Sequence, residues 1–356
     1  CGITFIGPSQ DNIRNMGDKN KAREMMRRAG VPVTPGSDGV VKSPEEALAI
    51  AKKLGYPVLI KAVAGGGGKG MRIARNDVSL AQGFMTASSE AERAFGNAEV
   101  YVEKLVERAR HIEVQLLADN HGHVYQLGER DCSIQRRHQK LLEETPSPAL
   151  TPDRRKKLLK AAVKAAQACK LRNVATLEFL WNEDAQEFYF MEMNTRIQVE
   201  HPITEEVTGA DLVQLQIRAA AGEVMKFSDD EFTPRGHAIE VRVNAENPYK
   251  NFTPSPGPVQ AVHFPGGPGI RVDSHVYSGY VIPPYYDSMI GKIIARGRTR
   301  EEALTRMARA LAEFKIAGPA TTVPVAQALL ADARFLRGEY NTHFLEQFMN
   351  DVFWVS

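Results

Sequence analysis

A run of glycines between two strand-like segments constrains the fold of this chain more than any other feature of its sequence. The run AGGGGKGM, residues 64–71, follows the apolar segment YPVLIKA and precedes MRIAR, and both segments are typical of strands. The run formally contains GxGxxG, the pattern of a dinucleotide-binding loop. Such a loop must open a helix whose N-terminal amides hold a pyrophosphate, whereas a strand is predicted here. The glycines therefore indicate a loop that joins two strands.

A Walker-type phosphate loop is also excluded at this position. Lys69 is followed by Gly70, which has no hydroxyl group to offer magnesium. Two interpretations remain. The glycines form either a flap whose bare amides approach a polyphosphate while Lys61 and Lys69 neutralise its charge, or a hairpin tip without a ligand.

A predicted hairpin farther along the chain carries acidic side chains. The strands VATLEFLW and EFYFMEMN are separated by the short polar stretch 182–186, which indicates an antiparallel pair. By strand parity, Glu178 projects from one strand, and Glu192 projects from the other on the same side as Phe190 and Asn194. Paired strands would bring these oxygen donors within reach of one or two hard cations such as the magnesium that accompanies ATP. A solvated face is the alternative, but both strands are too apolar to favour it.

Polar side chains continue at every second residue after the hairpin. Arg196, Gln198 and Glu200 supply a cationic fork, a hydrogen-bond donor and an acid, the groups that a small oxyanion such as bicarbonate requires. His201 follows, but no HExxH pattern surrounds it and Pro202 comes next, which favours a packing role over metal binding. This track is therefore our candidate oxyanion pocket.

A second basic run, ERDCSIQRRHQK, contains Arg136, Arg137, His138 and Lys140. Such runs are commonly solvated faces or nucleic-acid patches. Without interleaved aromatic residues, and with a formal net charge of only +2, we expect no nucleic-acid partner. Cys132 lies in the same run, and without a readable catalytic dyad it is best interpreted as a buried thiol.

Composition and segment order predict an α+β protein of two units. The chain has 356 residues, 43% of them apolar, and we expect neither disorder nor a membrane span. Its three cysteines are widely spaced, which favours a reducing cytoplasm over a disulfide framework or a zinc site. The opening GITFIGP indicates a buried strand meeting a turn, and 228–236 is the candidate boundary before a small, mostly β unit. Helices are predicted near 18–29, 44–54, 152–170, 211–221, 300–314 and 324–331.

Six motifs, taken together, resemble those of biotin carboxylases. In chain order they are GDKNKAR, KAVAGGGGKGMR, ERDCSIQRRHQK, EFYFMEMNTRIQVEHPITE, RGHAIEVRVNAEN and PPYYDSMIGK. The resemblance covers nearly the whole chain and is strongest to the carboxylase component of acetyl-CoA or related acyl-CoA carboxylases. It implies an ATP-grasp fold, two α/β subdomains around a nucleotide cleft, followed by a mostly β C-terminal domain. The implied segments are 1–17 as the remnant of a preceding domain, 18–227 as the ATP-grasp domain with a glycine-flap subdomain at about 34–105, and 235–345 as the C-terminal domain.

The resemblance also implies a role for each matching residue. The ATP site would consist of Lys19, Lys61, Gly67, Gly68, Glu103, Lys104, Leu105, Val106, His111 and His138. Magnesium or manganese would be held by Glu178, Glu192 and Asn194. Bicarbonate would be bound by Lys140, Arg196, Gln198 and Val199, with Glu200 as its base and Arg242 stabilising the biotin enolate.

The implied reaction passes through carboxyphosphate and delivers carbon dioxide to biotin. No biotin-accepting MKM sequence is visible, so biotin would arrive on a carrier protein or domain, and a carboxyltransferase component would complete the reaction. A homodimer is expected for the parent protein. Two alternatives remain open: another ATP-grasp ligase whose acyl phosphate is captured by an amine, and a non-catalytic nucleotide-binding fragment.

Overall fold

The main feature of the structure is one long antiparallel sheet. The computed structural model describes residues 2–63, 70–228 and 230–354. Its strands are β1 Val58–Ala62, β2 Met71–Ala74, β3 Val100–Lys104, β4 Ala109–Ala118, β5 Val124–Arg136, β6 Gln139–Thr145, β7 Asn173–Asn182, β8 Glu187–Asn194, β9 His237–Asn244, β10 Glu246–Asn247, β11 Thr253–Pro254, β12 Gly257–Pro258, β13 Ala261–His263, β14 Ile270–Ser274, β15 Val281–Ile282, β16 Met289–Gly297 and β17 Lys315–Ala317.

Helices cover the faces of this sheet and of a smaller one. They are α1 Gln10–Gly17, α2 Lys19–Arg28, α3 Pro44–Leu54, α4 Asp77–Phe95, α5 Pro152–Ala168, α6 His201–Thr208, α7 Leu212–Ala220, α8 Arg300–Glu313, α9 Val323–Leu329, α10 Ala333–Leu336 and α11 Phe344–Phe348. A 3-10 turn at Pro248–Lys250 and a π-helical turn at Met349–Phe353 complete the described elements. None of the helices in the described ranges is long and apolar enough to cross a membrane.

The large sheet has eight strands in the order β14-β16-β9-β6-β5-β4-β7-β8. Its central pairing joins β6 to β9, two strands separated by about ninety residues of sequence, in a register that places Leu142 opposite Val241 and Thr145 opposite Ala238. The predicted boundary at 228–236 therefore falls in sequence between strands that share one sheet. Segments on both sides of this boundary therefore belong to one hydrogen-bonded sheet.

The small sheet carries the glycine run. Its order is β2-β1-β3, all antiparallel, and Lys61 lies opposite Met71 where β1 and β2 flank the run. The two flanking strands are thus confirmed. Residues 64–69 lie outside the described residues, so the roles inferred for Gly67, Gly68 and Lys69 stay predictions. Helices α3 and α4 pack on this sheet around a core that includes Val58, Ile60 and Leu80.

Helices are present at the six predicted positions, and all of these but α9 begin at a side-chain cap, whereas α4, the longest described helix, was not predicted, nor were α1, α6, α10 and α11. The Asp18 carboxylate caps α2 by accepting from the amides of Asn20 and Lys21, each at 3.1 Å. The expected strand in GITFIGP is wrong. Residues 2–6 are exposed and irregular, and no described strand lies beside them to provide the hydrogen bonds that a strand requires.

Candidate active site

The two acidic residues of the predicted hairpin face each other across β7 and β8. Glu178 is the register partner of Glu192, and Thr176 is the partner of Asn194, so the oxygen donors share one face as expected. One detail is wrong: Phe190 does not lie on that face. A bulge after Glu178 adds one residue to β8, and this reverses the parity and directs Phe190 into the apolar core.

Glu178 is buried among donors. Its Oε1 accepts from the side-chain amides of Asn194 and Gln198, each at 2.9 Å, and its Oε2 lies 3.2 Å from Nε2 of His111. Burial alone would raise the pKa of Glu178, but the charges of His111 and Lys140 lower it to about 2. The same carboxylate raises the pKa of the buried His111 to about 9, against the effect of burial. Glu178 is therefore ionised at neutral pH.

Lys140 is the cationic centre of the site. Its ammonium group donates to Glu113 at 2.6 Å, to Glu178 at 3.4 Å and also to Glu200. Burial would lower the pKa of this ammonium, but Cys132 and the three carboxylates raise it well above its ordinary value. One lysine from β6 thus links the hairpin carboxylate to the proposed base.

Glu200 is held from two sides. It precedes the first residue of α6, it is 2% exposed, and its Oε2 accepts from Arg242 at 2.8 Å while Oε1 accepts from Lys140. The Arg242 guanidinium, on β9, also donates from Nε to Glu143 at 2.6 Å. The predicted base and the predicted enolate-stabilising residue are therefore in direct contact, although they come from opposite sides of the candidate boundary.

Sequence reasoning missed the residue that organises this cluster from below. Arg130 is fully buried, donates to Glu113 at 2.6 Å, and also reaches the side chains of Gln115, Thr204, Thr176 and Gln198. Arg130 lies at the start of the run ERDCSIQRRHQK, but neither it nor Glu113 was a candidate site residue. An arginine and a glutamate in otherwise apolar, buried strands were the available signal, because such charges are rarely buried without partners.

The residues expected to hold the nucleotide start on the small sheet. Lys61 on β1 forms an ion pair with Glu103 on β3 at 2.7 Å, and Arg23 from α2 also contacts this carboxylate. Burial, followed by the positive charges of Lys19 and Arg23, lowers the pKa of Lys61 to about 8. This ammonium therefore loses its proton close to physiological pH.

Several expected ligands make other contacts here. The Lys104 ammonium donates to the carbonyls of Gly55 and Tyr56 at 2.9 and 3.1 Å, and the Leu105 amide donates to the carbonyl of Pro57 at 3.2 Å. Val106, the next residue, is half-buried. These contacts fix the strand end at which the adenine was expected.

Two further predicted ligands lie at the margins of the cluster. His138 is exposed at the tip of the β5–β6 hairpin, where it and Arg137 both have positive φ angles, as in a tight type I′ turn. The carbonyl of Val199 accepts from Lys292 at 2.9 Å. The ligand roles of these residues stay predictions.

A cavity of about 490 Å³ opens beside the hairpin. Its walls include Lys19 from α2, Glu192 and Asn194 from β8, and Arg196, which is exposed and donates to the carbonyl of Ile197. Cationic and oxygen-donor side chains thus line one space of the size that a nucleotide occupies.

The donor set fits a hard divalent cation. Glu178 and Glu192 supply carboxylate oxygens, and Asn194 directs its Nδ2 at Glu178, which leaves Oδ1 as its ligating atom. Oxygen donors of this kind suit Mg²⁺ or Mn²⁺, which supports the prediction that these three residues are metal ligands.

Comparison with known proteins places this geometry in a family. The family model described as "Carbamoyl-phosphate synthase L chain, ATP binding domain" matches residues 18–227, and the "Biotin carboxylase C-terminal domain" matches residues 240–347. "Biotin carboxylase 1" of Bacillus subtilis is 55% identical over 346 residues, 97% of this chain and 77% of that protein. The chain belongs to the biotin carboxylase family.

Relatives in this family serve different acceptors. A pyruvate carboxylase subunit from Methanothermobacter thermautotrophicus is 52% identical over 99% of this chain and 71% of that protein. The structure of the biotin carboxylase domain of Hydrogenobacter thermophilus 2-oxoglutarate carboxylase, a dimer with MgADP, ADP and bicarbonate, is 49% identical with a TM-score of 0.92. It covers 98% of this chain, and the chain covers 76% of that structure. The family resemblance and the α+β ATP-grasp fold expected from the motifs are confirmed.

Proposed function

We propose that this chain carboxylates biotin, using ATP and bicarbonate, by way of carboxyphosphate. The observation that carries the proposal is the convergence of Lys140 and Arg242 on Glu200, beside the buried Glu178. A carboxylate held by two cations next to a pocket for a small oxyanion is placed to accept the proton that bicarbonate must lose. Membership of the biotin carboxylase family, with relatives of that name above 50% identity, supports it independently.

Each part of the site has a proposed role in this reaction. Lys140, Arg196, Gln198 and the backbone of Val199 would bind bicarbonate, and Glu200 would take its proton as a bicarbonate oxygen attacks the γ-phosphorus and ADP leaves. Mg²⁺ or Mn²⁺ on Glu178, Glu192 and Asn194 would supply charge neutralisation for the phosphates. Arg242 would stabilise the enolate of biotin that receives the carbon dioxide.

The nucleotide would lie between the small sheet and the hairpin. Its proposed ligands are the following side chains and backbone groups: Lys19, Lys61, Gly67, Gly68, Glu103, Lys104, Leu105, Val106, His111 and His138. The position of Lys61 on β1 and of Lys19 beside Glu192 supports the arrangement. His111 faces Glu178, which would place it next to the metal-bound phosphates.

Biotin would reach the site on a separate carrier protein or domain, and a carboxyltransferase would use the product. The dimeric structure of the Hydrogenobacter relative supports a homodimer for the parent protein. We propose an acyl-CoA as the final acceptor, on the strength of the NTRIQVEHPITE motif. The free thiols of Cys132 and Cys169 support a reducing compartment such as the cytoplasm.

The domain boundaries are also part of the proposal. The two family models end and begin at residues 227 and 240, which supports an ATP-grasp domain at 18–227 and a C-terminal domain at 235–345. In this division the two domains would share one sheet, since β6 of the first pairs with β9 of the second.

A phosphate-release assay tests the activity directly. Turnover of ATP with Mg²⁺ should depend on bicarbonate and rise on addition of free biotin, with each component omitted in turn. Stimulation by ammonia or an amino acid instead would identify an amine-capturing ligase. Binding of ATP with Mg²⁺ and no turnover under any of these conditions would identify a non-catalytic fragment and overturn the proposal.

A further inference from the structure

A second pair of carboxyl groups lies behind the proposed base. Glu240 on β9 is fully buried and is the register partner of Glu143 on β6, which is also fully buried. Directly opposed residues of antiparallel strands have Cβ atoms roughly 4.5–5.5 Å apart, so two glutamate side chains at such positions are within reach of each other. Neither residue was a candidate site residue in the sequence.

Apolar side chains cover one side of Glu240. It shares a sheet face with Ala238 and with its other register partner, Ile294, and helix α6 covers this face with Ile203 and Val207. Within the described ranges, neither oxygen of Glu240 has a hydrogen-bond partner. An ionised carboxylate in such a position would lose its hydration without replacement, which disfavours the charged form.

Glu143 differs from Glu240 because one of its carboxylate oxygens accepts a hydrogen bond. Its Oε1 accepts from Nε of Arg242 at 2.6 Å, whereas Oε2 has no hydrogen-bond partner in the part of the chain that the structure describes. The guanidinium thus stabilises a negative charge on Glu143. If Glu240 were also ionised, two like charges would lie side by side with one arginine between them and Glu200.

A single proton resolves all of these features. We propose that Glu240 is a protonated acid that donates its hydroxyl to Oε2 of Glu143, so that the pair holds one negative charge and aligns Arg242 with Glu200. Glu240 is then a positioning residue, which acts through Glu143 and Arg242. This role rests on the proposed function, whereas the shared proton does not.

The electrostatic environment of the pair agrees with the geometry. The charged groups that face Glu240 are Glu143 from β6, Arg242 from β9, Lys292 from β16 and Glu200 at the start of α6. Burial and then Glu143 raise the pKa of Glu240 well above its ordinary value, and the two cations only partly oppose this. Burial also raises the pKa of Glu143, but only to about 6, since Arg242 lowers it.

Arg242 needs this arrangement to work as a bridge. Its Nε and one terminal nitrogen both lie 2.6 Å from Oε1 of Glu143, and the same terminal nitrogen donates to Glu200 at 2.8 Å, so any turn of the guanidinium moves both contacts. A second negative charge at Glu240 would compete for the same guanidinium. The neutral hydroxyl instead fixes the orientation of the Glu143 carboxylate and, through it, the direction of the arginine.

Spectroscopy tests the proton without requiring catalysis. The infrared carbonyl band of a buried protonated carboxyl should be present in the unsubstituted chain at neutral pH and should be lost in Glu240→Gln. The control Glu313→Gln, at a glutamate that is 42% exposed and paired with Arg309, should leave the band in place. An unchanged band in Glu240→Gln would overturn the shared proton, whatever the protein catalyses.

Kinetics tests the positioning role. Glu240→Leu removes the donor and should lower kcat for biotin carboxylation about tenfold, the effect of one lost hydrogen bond to a charged group. Glu240→Gln should recover most of this loss, since its NH2 group can donate to Oε2 of Glu143. A purely packing role predicts the opposite order, with Leu the better replacement in an apolar pocket, and that result would sink the assignment. Thermal unfolding shows whether each variant folds. If Glu240→Leu does not fold, the infrared comparison of the unsubstituted chain with Glu240→Gln decides; if Glu240→Gln does not fold, the same band is compared with Glu240→Leu.

Discussion

Glu178 and Glu192 occupy directly opposed positions on β7 and β8, with a bulge immediately beyond them. Glu192 lines the cavity together with Lys19 and Arg196, and Glu178 is its partner on the neighbouring strand. The proposed metal site therefore depends on the register between β7 and β8. Each of the two glutamates can be substituted on its own to test its role in metal binding.

Glu192→Gln should weaken metal binding without unfolding the hairpin. The amide keeps the shape of the side chain but removes one anionic oxygen, so the Mn²⁺ concentration for half-saturation in the presence of ADP should rise by about tenfold or more. Electron paramagnetic resonance of free Mn²⁺ measures this. Glu187→Gln, at the start of β8, is the matched control and should bind as the unsubstituted chain does; equal behaviour of the two variants would contradict the assignment.

Glu200→Gln should abolish bicarbonate-dependent ATP cleavage while ATP still binds. An amide cannot accept the proton of bicarbonate, and loss of a general base costs at least about 100-fold in rate. Phosphate release and equilibrium binding of a fluorescent ATP analogue separate the two effects. Glu92→Gln, an exposed change on α4, should alter neither. If Glu200→Gln lost binding and turnover equally, the residue would be a structural anchor for Lys140 and Arg242 instead.

Arg130→Met should be among the most destabilising single changes in the chain. The substitution leaves Glu113 buried with one partner fewer and removes the hydrogen-bond donor of several buried polar side chains. The free energy of unfolding should therefore fall by about 3–5 kcal/mol. Urea denaturation followed by circular dichroism measures it. Arg298→Met removes an arginine whose side chain is 93% exposed and should cost less than about 1 kcal/mol. A loss that small in Arg130→Met would show that the buried network contributes little.

The kcat/KM for ATP should depend on the protonation of Lys61. Its pKa is lowered to about 8, so the ammonium is present below that pH and is lost as pH rises through it. We expect kcat/KM for ATP to fall on the alkaline side of pH 8, because a neutral amine no longer attracts a polyphosphate. Lys61→Arg carries a charge that does not titrate in this range and should remove that alkaline limb. A profile with the same limb in both proteins would assign it to another group.

The parts of the fold that the sequence predicts are those whose signals are local. The helix at α3 is bounded by Ser43 as its cap and Gly55 at its end, and the β7–β8 hairpin by a polar turn between two apolar strands. The strand predicted in GITFIGP is wrong because a strand depends on a partner elsewhere in the chain, which no local signal reveals. A short apolar segment is equally compatible with a strand and with an irregular segment, and only a neighbouring strand decides between them.

The candidate site divides along the same line. The acidic residues of the hairpin could be read from spacing, because strand parity sets the direction of each side chain. The track after it lies beyond the end of β8, where parity does not apply: Gln198 and Glu200 are buried, whereas Arg196 is exposed. The Glu143–Glu240 pair could not be read from spacing, since it is set by the register between β6 and β9, which are far apart in sequence. The pairing of Arg130 with Glu113 depends on the register of the neighbouring strands β4 and β5, which a bulge shifts. The bulge at Phe190 shows the limit of parity, as one inserted residue reverses it.

The β6–β9 seam makes this chain a poor subject for dissection. A fragment that stops near residue 227 would end with an open β6 edge, and the complementary fragment would present β9 in the same condition. Exposed edges of this kind recruit other strands, so each piece alone would tend to self-associate, whereas the two co-expressed would have a ready-made zipper for reassembly.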